Sequence, residues 1–105
     1  MPRGTVSTSW QRIREYTEQW DWTDAVTGLR TIGFNPPKSA RDAKRRPFHI
    51  KYVTGNGHLV VANAVCIKVD RRKHMRRLQF LPSNKIEWCR DYLIIEINGT
   101  RFYNN

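Results

Sequence analysis

The chain has 105 residues, 39% of them hydrophobic and 27% charged, with a formal net charge of +10. That length suits one domain around one core, and no apolar run approaches the roughly 18–20 residues that would cross a membrane. The polar opening MPRGTVSTSW also lacks the apolar stretch of a secretory signal, so the expectation is a cytoplasmic protein with no membrane association.

The first predicted element is a helix in TSWQRIREYTEQW, where Thr8 and Gln11 have the spacing of a capping box. Trp10, Ile13, Tyr16 or Thr17, and Trp20 recur at helical intervals as a core-facing stripe, leaving Arg12, Arg14, Glu15 and Glu18 on the wet side. DWTDAVTGLRTIGF then predicts a helical turn ending at Gly28 and an extended segment after it, so residues 8–34 form a helical N-terminal segment. In NPPKSARDAKRRP, Pro36, Pro37 and Pro47 surround small and basic residues with little to bury, and residues 35–47 are expected as a basic surface linker.

From Pro47 onward the period changes to two. PFHIKYV alternates Phe48, Ile50 and Tyr52 against His49 and Lys51, and GNG at 55–57 is a turn before HLVVA. AVCIKVD sets Val65, Ile67 and Val69 on one face and Cys66, Lys68 and Asp70 on the other. MRRLQFL places Arg76, Leu78 and Phe80 together, with Arg77 and Gln79 opposite. LPSN breaks the run, KIEWC supplies a strand with Ile86 and Trp88 on one face, and DYLIIEI is apolar enough to lie centrally. Asn98-Gly99 before TRFY is a type I′ hairpin signal. Six or seven short strands after a helix predict an α+β, mostly β chain. Its core, 48–103, is a strongly bent antiparallel sheet or a small SH3-like barrel that closes to remove its edges. The whole, 1–105, is expected as a single domain; the likeness is one of shape, no family motif accompanies it, and shape carries no function.

Residue chemistry narrows the function classes. His49, His58 and His74 are not at metal-ligand spacing, and no glycine pattern for a nucleotide occurs, so no metal or cofactor is expected. Cys66 and Cys89 fall in apolar strands and read as reduced, buried thiols. Glu87, Asp91 and Glu96 are as easily paired with Lys85, Arg90 and Arg101 across strands as poised for acid–base work, and the sequon at Asn98-Gly99-Thr100 is explained by its turn. These readings predict a protein that is not an enzyme.

Charge is the informative feature. Bases and acids cancel within residues 1–34 and again within 79–105, while twelve bases between Asn35 and Leu78 face only Asp42 and Asp70. A field so segregated points to a polyanion, and arginines outnumber lysines thirteen to six, which favours forked contacts to phosphate. The candidate contacts are Lys44, Arg45 and Arg46 in the linker, Arg71, Arg72, Lys73 and His74 fanning outward from a hairpin turn, and Lys68, Arg76 and Arg77 on its strands. Arg76 shares the Leu78 face, so its stem is expected at a rim with its head in water. Tyr52, Trp88, Tyr92 or Tyr103 would stack on bases where exposed. The expected function is nucleic-acid binding, DNA or RNA, by a monomer or weak homodimer. The alternative is an adaptor or inhibitor whose basic face docks on an acidic protein partner.

Overall fold

The computed structural model describes residues 6–102. Helix α1 (Val6–Thr17) stops one turn earlier than its aromatic stripe predicts. Thr17 donates its hydroxyl to the Ile13 carbonyl at 2.7 Å, and the Glu18 N–H still reaches the Arg14 carbonyl at 2.9 Å. Trp20 then opens a strand, β1 (Trp20–Thr23), because WDWT is rich in the aromatic and β-branched residues that fit a pleated surface. Ile13 and Thr17 are buried as the stripe requires. The side chains of Thr8 and Trp10, and the whole of Tyr103, lie outside the described residues.

The segment after β1 is a small sheet, which corrects the helical reading of its first half. β2 (Arg30–Gly33) and β3 (Arg41–Arg45) flank β1, both antiparallel to it. The Asp24 carboxylate accepts the N–H groups of Val26 and Thr27 at 2.8 and 2.9 Å, and Gly28 takes φ +73°, so the chain reverses in a tight turn. Trp22 packs against Gly33, where a Cβ would come within 2.9 Å of its ring. β3 falls inside the segment expected as a linker. Its backbone gains ladder bonds to β1 without a single buried residue, which an apolar-pattern reading has no means to see.

Six further strands make the larger sheet: β4 (Phe48–Val53), β5 (Leu59–Asp70), β6 (Met75–Leu81), β7 (Ile86–Arg90), β8 (Ile94–Ile97) and β9 (Thr100–Arg101). Their order across the sheet is β7-β6-β5-β4-β8-β9, all antiparallel, and a 3-10 turn at Asp91–Leu93 carries the chain from β7 to β8. Asn98 and Gly99, at φ 49° and 84°, form the expected two-residue hairpin between β8 and β9. The chain is thus mostly β with two antiparallel sheets, and the larger one does not close into a barrel. β9 has two residues beside β8, and among the described residues no strand joins it to β7.

One face of this sheet packs under α1. Phe48, Ile50 and Tyr52 of β4 point inward, and their β5 partners Ala64, Ala62 and Val60 are small enough to leave room for them. The expected β5 face is overturned: Cys66, opposite Leu78, joins the core, and Val65 and Ile67 do not. A bulge between Cys66 and Lys68 then shifts the alternation, so that Val69 packs inward as expected. On β6, Arg76, Leu78 and Phe80 do share the inner face.

Arg76 is therefore inside the molecule, 4% exposed, not at a rim with its head in water. Its Nε donates to the Asp91 carboxylate at 3.0 Å and its Nη1 to Glu18, and both acids are buried with it. Burial pushes the Glu18 carboxyl up, but hydrogen bonds from Arg71 and Arg76 outweigh it and hold the group below its usual 4.5. At Asp91 burial wins over the pull of Arg76, and the carboxyl rises above 3.8.

Replacing Arg76 with Met keeps the stem but leaves two buried carboxylates short of a counter-ion, and about 3 kcal/mol of stability should be lost at pH 7. The size of that loss should also depend on pH. In the native protein Glu18 contributes stability above pH 4.5 that is lost as pH falls through its lowered folded value. In Arg76→Met Asp91 loses the arginine that opposes its burial and its carboxyl rises further, while Arg71 still holds Glu18, so the loss of stability should be smaller at about pH 5 than at pH 7. Denaturant titrations at both pH values measure this, and equal stability of the two proteins at pH 7 would contradict it.

Candidate anion-binding face

The register that buries Arg76 fixes what the opposite face of the sheet presents to solvent. Lys68 pairs with Arg77 and Arg77 with Trp88, so these three side chains form one row across β5, β6 and β7. Neighbouring strands are about 4.8 Å apart, and the row is therefore roughly 10 Å long. Val65, Gln79 and Ile86 form the next row on the same face. The Arg77 guanidinium lies 5.9 Å from the Trp88 ring centroid, and its buried Nε meets no acceptor among the described residues.

Beyond Val65 and Ile67 the small sheet closes one end of this face. The two sheets enclose a cleft of about 610 Å³ lined by those residues with Asp21, Arg30, Lys44, Arg45, Arg46 and Pro47. Asp21 is neutralised within it. Hydrogen bonds from Arg30, at 2.8 and 2.9 Å from Nε and closer still from Nη2, hold its carboxyl below the usual 3.8. Arg45 lies over the Trp20 ring at 4.4 Å and donates to the Glu18 carbonyl at 2.7 Å, while Arg46 donates to Gln19 Oε1 at 3.1 Å. These contacts hold the arginines in place without neutralising them, and Lys44 stands exposed beside them.

The hairpin turn at 71–74 does not fan outward as a unit; it divides. Arg71 turns toward α1 and grips Glu18 with both Nη atoms, at 2.7 and 3.2 Å. Together with Arg76, Arg14 and His74 it lines a second cleft of about 460 Å³, whose arginines Arg71 and Arg76 are already committed to Glu18 and Asp91. Lys73 turns the other way and, with Asp70, Met75 and Trp88, lines a hollow of about 240 Å³ on the open face. Arg72 is exposed at the tip. Of the ten residues proposed from sequence, Lys44, Arg45, Arg46, Lys68, Lys73 and Arg77 thus share the open face. Arg71, His74 and Arg76 do not. Among the described residues Lys68, Arg72, Lys73 and Arg77 have no carboxylate within ion-pair distance.

Two residues escaped the sequence reading. Glu18 was placed on the wet side of a helix that in fact ends before it. Trp88 was one of four aromatics with nothing to choose among them, although its strand KIEWC, with only one inward apolar position filled by Cys89, is a signature of an edge.

The other chemical candidates resolve into structural roles. Burial pushes both the Cys66 and Cys89 thiols up, away from a reactive thiolate. Glu87 pairs with Lys85 at 3.5 Å, two residues away and not across strands, while Glu96 pairs with Lys51 at 3.7 Å and Asp91 with Arg76. Tyr52 is buried and its hydroxyl pKa is pushed up to about 12, chiefly by desolvation. No cluster of three potential metal ligands occurs among the described residues, and none of their helices is long and apolar enough to cross a membrane. No protein-family model, curated protein or solved structure matches the chain.

Because the turn divides, adjacent arginines should respond differently to charge reversal. Arg71→Glu sets a second carboxylate against buried Glu18 and should lower Tm by roughly 4–8 °C, the effect of about 1 kcal/mol in a chain this size. Arg72→Glu should stay within about 0.5 kcal/mol of the native protein. Thermal melts of the two variants test the division, which equal melting temperatures would refute.

Proposed function

We propose that the protein is a non-enzymatic nucleic-acid-binding module that engages phosphates with the open face of its larger sheet. The observation that carries this reading is the gathering of Lys44, Arg45, Arg46, Lys68, Lys73 and Arg77 on one solvent-facing side, where Asp21 is already neutralised. Cations held by cation–π contacts and carbonyls are preorganised, which lowers the entropy lost on meeting a phosphate. Nucleic acid is the polyanion that a cytoplasmic protein with reduced cysteines would meet most often. The strand order, with β8 returning through a 3-10 turn to lie beside β4, supports an SH3-like meander left open at its ends, a frame that hosts many functions.

A second reading has its own support. Exposed Val61, Leu81 and Ile86 add apolar surface beside the cations, which suits docking on an acidic protein. Capture of one protein partner that survives nuclease treatment would favour it.

With about five phosphates engaged, the affinity for nucleic acid should fall with salt at a log–log slope of about −4, at roughly −0.7 to −0.9 per phosphate. The triple variant Lys44→Glu, Lys68→Glu, Lys73→Glu should bind at least about tenfold more weakly while melting like the native protein, since all three side chains are exposed. Anisotropy titrations at two salt concentrations measure both. Salt-independent binding, or full affinity in the triple variant, would exclude this face.

A further inference from the structure

Cations alone describe any polyanion; the hollow at the end of the Lys68–Arg77–Trp88 row describes a narrower class. We infer that the ligand is a single-stranded nucleic acid, one base of which stacks on Trp88 while its backbone follows Lys68 and Arg77 toward the cleft at β3. This rests on the phosphate-binding reading above and adds a strand state to it.

Three observations lead there. First, Trp88 is 43% exposed although it is the largest side chain of its strand, and β7 is an edge, with no further strand beside it among the described residues. Arg77 holds the ring from the β6 side and stiffens it. Second, the hollow against Trp88 is lined by Met75, the Lys73 side chain and Asp70. A carboxylate there repels phosphate, whereas an indole and a thioether attract the flat face of a base. The Asp70 carboxylate is fixed by the Lys73 N–H at 3.2 Å, so it does not swing away. Third, the two ends of the face differ in kind. The β3 end is ringed by Lys44, Arg45 and Arg46, the β7 end is aromatic, and Lys68 with Arg77 connects them within one row. A chain of alternating phosphates and bases matches that order.

Strand state follows from the chemistry of stacking. Inside a duplex both faces of a base are covered by its neighbours, so Trp88 would have nothing to receive; an unpaired base presents a whole face. The sugar is left open by these contacts, because neither phosphate nor base stacking distinguishes DNA from RNA.

The test is a set of anisotropy titrations at one low salt concentration with labelled single strands of about 12 nucleotides, as DNA and as RNA, and with the matching duplex. The native protein should bind at least one single strand several-fold more tightly than duplex. Trp88→Ala should weaken single-strand binding about tenfold, Trp88→Phe should retain most of it, and neither should alter duplex binding. Trp88 is exposed on an edge strand, so both variants should melt near the native temperature, which a parallel thermal scan establishes. Unchanged single-strand affinity in Trp88→Ala, or duplex bound as tightly as single strand, overturns the inference. If the lysine triple variant still loses binding in that case, the basic face survives and stacking alone falls. If no oligonucleotide binds at all, both fall together.

Discussion

The structure turns on one carboxylate. Glu18 follows the last turn of α1 and precedes β1, and from there it reaches Arg71 in the hairpin turn and Arg76 on β6, while Arg76 continues to Asp91 in the 3-10 turn. Its backbone carbonyl accepts Arg45 at the end of β3. The 71–74 turn, β6, β3 and, through Arg76, the 3-10 turn are thus registered against a single residue. A buried ion cluster of this kind is a weak source of net stability, because desolvating each charge costs about what the pairing returns. Its strength is in what it forbids: any packing that slides α1 along the sheet, or rotates the small sheet away, leaves a buried charge without a partner.

That constraint also decides which cations have other work. Arg71 and Arg76 are balanced by Glu18 and Asp91, and Arg30 is balanced by Asp21. Of the bases that remain, Lys44, Arg45, Arg46, Lys68, Lys73 and Arg77 lie on the face that α1 does not cover. Inner and outer faces of the same β6 strand carry adjacent arginines with opposite roles, Arg76 as a structural counter-ion and Arg77 as an uncommitted cation over an aromatic ring. The two differ only in strand parity.

Much of this architecture was legible in the chain. Alternation in PFHIKYV, the Asn98-Gly99 turn and the break at LPSN located the strands of the larger sheet, since each signal is local. What was not legible depended on partners distant in sequence. Val65 and Ile67 alternate as well as any core pair, and only the ladder partners Phe48 and Leu78, both buried, show that Ala64 and Cys66 are inside. β3 is held by backbone pairing alone, which leaves no apolar trace. Charge by segment located the basic region, but it could not tell a paired arginine from an available one. That distinction needed Glu18, fifty-three residues from Arg71 along the chain.

The open face carries a cost that its charges offset. Ile86 and Trp88 on the unpaired edge strand β7, with Val61 and Ile67 nearby, are the kind of surface through which sheets add to one another. Lys68 and Arg77 in the same rows place like charges opposite like charges whenever two copies approach face to face, and bare apolar edges are protected in this way in many sheet proteins. A polyanion reverses both terms at once. It cancels the repulsion and covers the apolar positions that the repulsion was protecting. On the function proposed above, the same register would oppose pairing of two free faces and suit this face to a chain of phosphates and bases.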